Sequence, residues 1–354
     1  MMLAGGASLS FPQQAGYFHR EGMIFSRDGH CRPFSADADG TLVANGAGVV
    51  LLKRLDRAVE DGDAILAVIR GTATNNDGGD KAGFTAPSLS GQREVIQDAL
   101  AIAGVSADTI ELVEAHGTAT PLGDPLEIAA LTEAWAPASP TAGQAAIGSL
   151  KSNLGHLDTA AGVGSLIKAS LALWQQQIPP TLHFSAPNPA IDFSKTPFRV
   201  PTHLEPWPVP KHGWHRAAVS AFGIGGSNAH TILESAPARQ NPPSQADTYP
   251  LLLSARTPSA LRALAQQHAA RLSDREPGFS THDYAATSLY HRSLFPCRVL
   301  LLARDADGWL AQLLDLLELS EREAAKPMYV AEAVALSETQ RQSWQQQLCA
   351  DKPD

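Results

Sequence analysis

Residues 110–135 read IELVEAHGTATPLGDPLEIAALTEAW, and the order of features in this stretch decides the fold class. The first six residues are a short apolar run with Ile110 and Val113 in it, the pattern of a buried strand. Turn residues HGTATPLG follow. Asp124, Pro125 and Glu127 then supply an N-cap, a proline at the first helical position and an acid just inside, so a helix is predicted through about Trp135. The plan recurs downstream, where AAIGSLKSN at 145–153 reads as a strand, a short turn follows, and a helix of small residues is predicted over 159–175. Upstream, Val95, Ile96, Leu100 and Ile102 fall at near-helical spacing, which predicts a helix over 88–103 feeding the strand at 110–115. Strands alternating with helices in this way mean a layered α/β sheet.

Working outward, 42–53 and 64–73 read as buried strands with glycines in or beside them, and 216–235 reads as strand, glycine turn, strand. A polar, proline-containing stretch then marks a boundary. The expected division is a large domain over 1–236, a linker over 237–249, a small α/β module over 250–319 and a flexible tail over 320–354. In the module, PLLLSA and RVLLLAR read as strands, and Thr257-Pro258 opens the first helix. A second helix falls near 281–291 and an apolar one over 309–319.

At 354 residues the chain exceeds what one core holds, so two units are expected. A formal net charge of −9 argues against nucleic acid, since polyanion binding needs clustered Lys and Arg. Cys31, Cys297 and Cys349 are an odd, scattered set, which suits free thiols in a reducing compartment and predicts a cytoplasmic protein. There is no apolar run of the roughly 18 residues that a spanning helix needs, and the opening MMLAGGASLSF lacks the basic segment of a signal peptide. The sequence thus predicts a soluble, unexported chain without membrane contact.

His116 stands where the strand at 110–115 meets its turn, and His156, in KSNLGHLDTAAG, again stands between a strand and a helix. Strand ends are where a layered α/β fold presents side chains to a crevice, so the two are placed to share one pocket. Lys151, five residues before His156, brings an ammonium group that favours neutral imidazoles, and a neutral imidazole donates one ring hydrogen. A histidine at a strand end is more often a hydrogen-bonded structural residue, and that reading stands beside the catalytic one. No short ligand spacing or cysteine pair joins the histidines, so no metal is expected. The run Gly223, Ile224, Gly225, Gly226 precedes a strand instead of a helix, which makes it a tight turn and not a phosphate loop. Cys31 lies after a turn with no helix N-terminus or base to activate it.

The motifs EAHGTATPLGDPLE, KSNLGHLDTAAG, PPTLHFSAPNPAIDF and SAFGIGGSNAH, in this order and spacing, resemble the β-ketoacyl synthase domain of modular polyketide synthases. The resemblance runs from Met1 to about Glu234, with further matching segments at 22–41, 45–50 and 75–88. Residues 250–305 look like the linker module that joins such a domain to an acyltransferase. It implies the C-terminal part of a thiolase-like αβαβα sandwich, and an acyltransferase-type transferase performing decarboxylative Claisen condensation in polyketide or fatty acid elongation. It implies no bound cofactor, with substrates carried on the phosphopantetheine of an acyl carrier protein. By motif, His116 and His156 would hold the extender's thioester oxygen, and Lys151 would support His156 and the electrostatics of the site. Phe222 and Ile224 would flank an acyl channel, with Thr118, Thr120 and the turn glycines lining it. The family more often carries a second aromatic where Ile224 stands, so a looser gate is expected.

The family's cysteine nucleophile belongs to a small-residue turn upstream of the part that Met1 matches, so no nucleophile is expected in this chain. That leaves two alternatives. The chain supplies part of a condensing site, completed by the missing N-terminal half or a longer parent and dimeric when complete, or it is a non-catalytic remnant that docks carrier protein or neighbouring domains. A thiolase acting on coenzyme A thioesters fits less well, because the lysine and paired histidines match the elongating branch.

Overall fold

A computed structural model describes residues 1–13, 16–79, 83, 86–210, 212–237, 247–276 and 278–322. The chain divides into two compact units, Met1–Ala238 and Arg239–Asp354. Most of the expected linker, and the expected tail from 323 onward, lie outside the described residues.

In the first unit the strands are β1 (Met2–Ser8), β2 (Gly46–Leu52), β3 (Ala67–Asn76), β4 (Leu112–Glu114), β5 (Ala145–Gly148), β6 (Gln177–Ile178), β7 (Phe198–Arg199), β8 (Glu205–Pro206), β9 (Arg216–Phe222) and β10 (Ser227–Ser235). The helices are α1 (Leu55–Glu60), α2 (Leu89–Ala103), α3 (Gly123–Trp135), the single turn α4 (Lys151–Leu154) and α5 (Ala161–Gln175). Six strands form one sheet in the order β3-β10-β9-β4-β5-β7. The run β9-β4-β5-β7 is parallel, while β10 is antiparallel to both its neighbours.

Successive strand residues point to opposite faces, and the core divides accordingly. Val113, Ile147, Ala218 and Ile232 face α2 and α3, where Val95, Ile96 and Leu131 meet them. Leu112, Ala146, Ala217 and Leu233 face α5, where Ala169, Ala172 and Leu173 close the other side. Each large aliphatic side chain so buried contributes about 1.5–3 kcal/mol relative to exposure. α2 starts where the Ser88 hydroxyl accepts the Gly91 N–H at 3.2 Å, and it ends at Gly104 with φ 64°.

Asp124 does not cap α3. It lies inside the first turn, and its carboxylate accepts the N–H groups of Phe34 (2.8 Å) and Ala119 (2.9 Å), so it ties the turn inward. The strand expected over 145–153 stops at Gly148, and Lys151 opens α4 instead of extending a strand. A 3-10 turn over Asp158–Ala160 precedes α5.

β1 and β2 pair as an antiparallel ribbon, from Met2 against Leu52 to Ser8 against Gly46. The ribbon lies against α5 and the turn before it, and glycine makes the approach possible. A Cβ on Gly6 would fall 2.6 Å from the Thr159 carbonyl oxygen, and one on Gly48 would fall 2.9 Å from a Val163 methyl. β1 was not expected from the sequence.

The second unit pairs β11 (Tyr249–Ala255) with β12 (Cys297–Ala303) in antiparallel register. Helices α6 (Pro258–Ser273), α7 (Thr281–Tyr290) and α8 (Ala306–Arg322) pack around Leu251, Leu253, Leu261, Val299, Leu301 and Trp309. The Thr257 hydroxyl caps α6 by accepting the Ala260 N–H at 3.2 Å, with Pro258 at the first helical position. No helix among the described residues is long and apolar enough to cross a membrane.

Candidate active site

The chain leaves the C-terminal end of β4, in the middle of the sheet, directly into His116. From the α3 side the buried Glu127 accepts the N–H groups of His116 and Gly117, each at 2.8 Å, and so fixes where the imidazole starts. His156 arrives from the next segment. Its N–H donates to the Leu42 carbonyl at 2.7 Å and its carbonyl accepts the Ala44 N–H at 2.9 Å, which pins it to the strand-like stretch before β2.

The two imidazoles meet edge to face, with ring centroids 5.4 Å apart and planes at 82°. Their outer nitrogens settle which ring atom carries hydrogen. His116 Nδ1 accepts the Phe222 N–H at 3.3 Å and lies 3.4 Å from the Lys151 ammonium. His156 Nδ1 accepts the Asp158 N–H at 2.9 Å. Both Nδ1 atoms are therefore acceptors, and in the neutral ring each Nε2 carries the hydrogen. The result is a pair of N–H donors at one site.

Electrostatics keep the rings neutral. Burial, then the Lys151 ammonium and the neighbouring His156, hold His116 well below the usual histidine range. Burial, with Lys151 adding to it, lowers His156 to about 4. Burial also lowers Lys151, while the carboxylates of Glu127 and Glu114 oppose that shift. Burial raises Glu127 against its two N–H donors, and it raises Asp124 to about 7.

The Lys151 ammonium reaches the pocket on the His116 side, where it lies against Nδ1 and donates to the His116 carbonyl, while its charge also lowers His156. The parallel pairing of β4 with β5 explains this, because the segments leaving the two strands run side by side. His156 comes later, beyond α4.

Phe222 is buried, with its ring 5.8 Å from His116, whereas Ile224 at the tip of the glycine turn is 67% exposed. Gly225 and Gly226 hold φ values of 101° and 97°, which few residues other than glycine adopt, and Gly223 donates its N–H to the Ser227 carbonyl at 2.7 Å. Thr118 and Thr120 place their hydroxyls 3.1 Å apart, and that of Thr120 accepts the Gly123 N–H at 3.2 Å at the start of α3. Cys31 is buried, and burial pushes its thiol up to about 12, which disfavours the thiolate. Sequence reasoning missed the buried carboxylates of Glu114, Asp124 and Glu127 as site residues. The one sign was their place at the ends of the strand and helix that carry His116.

Three family profiles match end to end. They are the β-ketoacyl synthase N-terminal domain over residues 1–58, the β-ketoacyl synthase C-terminal domain over 66–185 and the ketoacyl-synthetase C-terminal extension over 187–299. The chain belongs to the β-ketoacyl synthase family of polyketide synthases. Among its relatives, a component of the phenolphthiocerol/phthiocerol polyketide synthase of Mycobacterium tuberculosis is 46% identical over 288 residues, 77% of this chain and 19% of that protein. Polyketide synthase PksN of Bacillus subtilis is 41% identical over 318 residues, 88% of this chain and 6% of that one. The crystal structure of ketosynthase twelve from the bacillaene synthase of Bacillus amyloliquefaciens superposes with a TM-score of 0.78 at 41% identity, covering 90% of this chain and 56% of that chain. The ketosynthase fold is thus the thiolase-like one, of which this chain spans a little over half of each solved relative and a fifth or less of these two synthases.

Proposed function

We propose that the chain supplies the oxygen-binding half of a β-ketoacyl synthase site, in which the Nε2 hydrogens of His116 and His156 together hold the thioester carbonyl of a malonyl-type extender. The extender is carried on the phosphopantetheine of an acyl carrier protein. As its C–CO₂ bond breaks, carbon dioxide leaves and the electron pair becomes an enolate whose oxygen the two donors stabilise. The enolate carbon then attacks the acyl thioester, a C–C bond forms, and the acyl sulfur departs as thiolate. Donors already aimed at the developing oxyanion are worth about 100- to 1000-fold each. The observation that carries this reading is the pair of neutral imidazoles 5.4 Å apart, each with Nδ1 occupied as an acceptor.

The sulfur that carries the acyl group belongs, in this reading, to the remainder of the ketosynthase fold, and the complete enzyme is a homodimer in the cytoplasm. Bare apolar surface supports that reading. Leu3, Val49 and Leu51 are exposed on one face of the β1–β2 ribbon. A separate apolar groove of about 480 Å³ lies along α4 and α5, lined by Leu150, Leu154, Leu157, Val163 and Ile167. The inert Cys31 thiol favours a second reading, in which the chain docks carrier protein or neighbouring domains without turnover.

The test is malonyl-carrier decarboxylation, read as carbon dioxide release, with the cysteine-bearing part of a ketosynthase supplied in trans. His116→Ala and His156→Ala should each lower the rate by about 100- to 1000-fold. The exposed His203→Ala should leave it unchanged. A stable complex without turnover favours the scaffold reading, and turnover indifferent to both site substitutions overturns the assignment of the histidine pair.

A further inference from the structure

Behind the imidazoles a single carboxylate joins three elements. Glu114 ends β4, two residues before His116, and is 1% exposed. Its Oε2 lies 2.7 Å from the Lys168 ammonium on α5. Its Oε1 accepts the Leu150 N–H at 2.6 Å and the Ser165 hydroxyl at 3.4 Å. Ser165 and Lys168 stand three apart, on one face of α5.

The Leu150 contact matters because it sets the position of its neighbour. The ladder between β4 and β5 ends with Glu114 opposite Gly148, apart from the Ala115 N–H donated to the Gly148 carbonyl at 2.8 Å. The Leu150 N–H finds its acceptor in the Glu114 carboxylate, and the next residue is Lys151, whose ammonium lies against His116. A buried carboxylate also needs a cation. Lys168 provides one from α5, which leaves Lys151 on the imidazole.

We propose that Glu114, neutralised by Lys168, is a positioning residue: it sets the Leu150–Lys151 turn against β4 so that Lys151 holds His116 in its Nε2–H form. This rests on reading His116 and His156 as the oxygen-binding pair. Without Lys168, Glu114 draws the Lys151 ammonium toward itself, and His116 Nδ1 loses one of its two donors.

The test is a histidine ¹⁵N spectrum of the full chain, which reports the tautomer of each ring without turnover. Wild type should show His116 as one tautomer with hydrogen on Nε2. Lys168→Met should raise the Nδ1–H population of His116 several-fold, while His230, buried elsewhere with Ser220 as its partner, stays unchanged. Lys168→Arg, which keeps the ion pair, should restore the wild-type spectrum, and Glu114→Ala, which removes the acceptor of the Leu150 N–H, should also raise the Nδ1–H population. If Glu114→Ala does not fold, the Met and Arg variants carry the comparison. Identical His116 signals in those two, or mixed tautomers in wild type, overturn the proposal, and a lowered melting temperature alone leaves the pair merely structural. A chain that is inactive in decarboxylation but passes this test sinks the proposed function and leaves the clamp standing. An active chain with unchanged spectra does the reverse.

Discussion

Each of the two paired histidines is held by its backbone before its ring does anything. Glu127 fixes the N–H of His116, and the 42–44 stretch fixes His156 on both sides of its peptide. Burial then decides protonation, and this has a measurable sign. In the unfolded chain a histidine titrates at about 6.5. In the folded chain His156 is lowered to about 4 and the fully buried His230 to about 3. Between those limits the unfolded state binds more protons, so stability falls as pH drops from about 6.5 toward 4, and these groups contribute no pH dependence above 6.5. For His230 alone the loss at the acid end is of the order of a few kcal/mol. Asp124, raised by burial to about 7, contributes in the opposite sense over the same range, so the histidine effect is read at the ring itself: His156 should titrate in the folded chain near 4. A His156 midpoint near 6.5 would show the ring to be solvated and the pocket open.

At the scale of the element, the approach of the β1–β2 ribbon to α5 depends on one glycine whose neighbour cannot yield. A Cβ on Gly6 would meet backbone, the Thr159 carbonyl, whereas one on Gly48 meets side chains alone, the Val163 methyls and the Ile167 Cδ1. Gly6→Ala should therefore destabilise the chain by about 1–3 kcal/mol, and Gly48→Ala by less. Denaturant unfolding separates the two, and equal effects would mean that the ribbon adjusts as a whole. The same ribbon marks the limit of what the sequence discloses. α2 was legible because Val95, Ile96, Leu100 and Ile102 keep near-helical spacing, and β4 because a three-residue central strand is apolar on both faces. β1 was not, because MLAGGAS offers no alternation, and its pairing follows only from the α5 surface beneath it. Lys151 was read as part of a strand because a small apolar run does not announce where its ladder stops. Glu114 stayed hidden for a related reason: an acid at a strand end reads as solvent-facing until Lys168, 54 residues away, is seen folded onto it.

For the whole molecule, the decisive quantity is apolar surface that none of the described residues covers. The ribbon register puts Leu3 opposite Leu51, so their side chains share a face with Val49, and the three are 71%, 63% and 64% exposed. The opposite face carries Gly6 and Gly48 against α5, so the exposed face cannot turn inward without losing that packing. An apolar face left in water marks an association surface. Val49→Lys together with Leu51→Lys should then leave folding stability within about 0.5 kcal/mol, because both residues are already in water. The same pair should suppress self-association of the isolated chain in sedimentation velocity and weaken its capture of the cysteine-bearing half of a ketosynthase. If the double variant still binds that half as wild type does, the covering surface lies elsewhere. The groove between α4 and α5, probed by Leu154→Glu, then becomes the next face whose loss should separate the two halves.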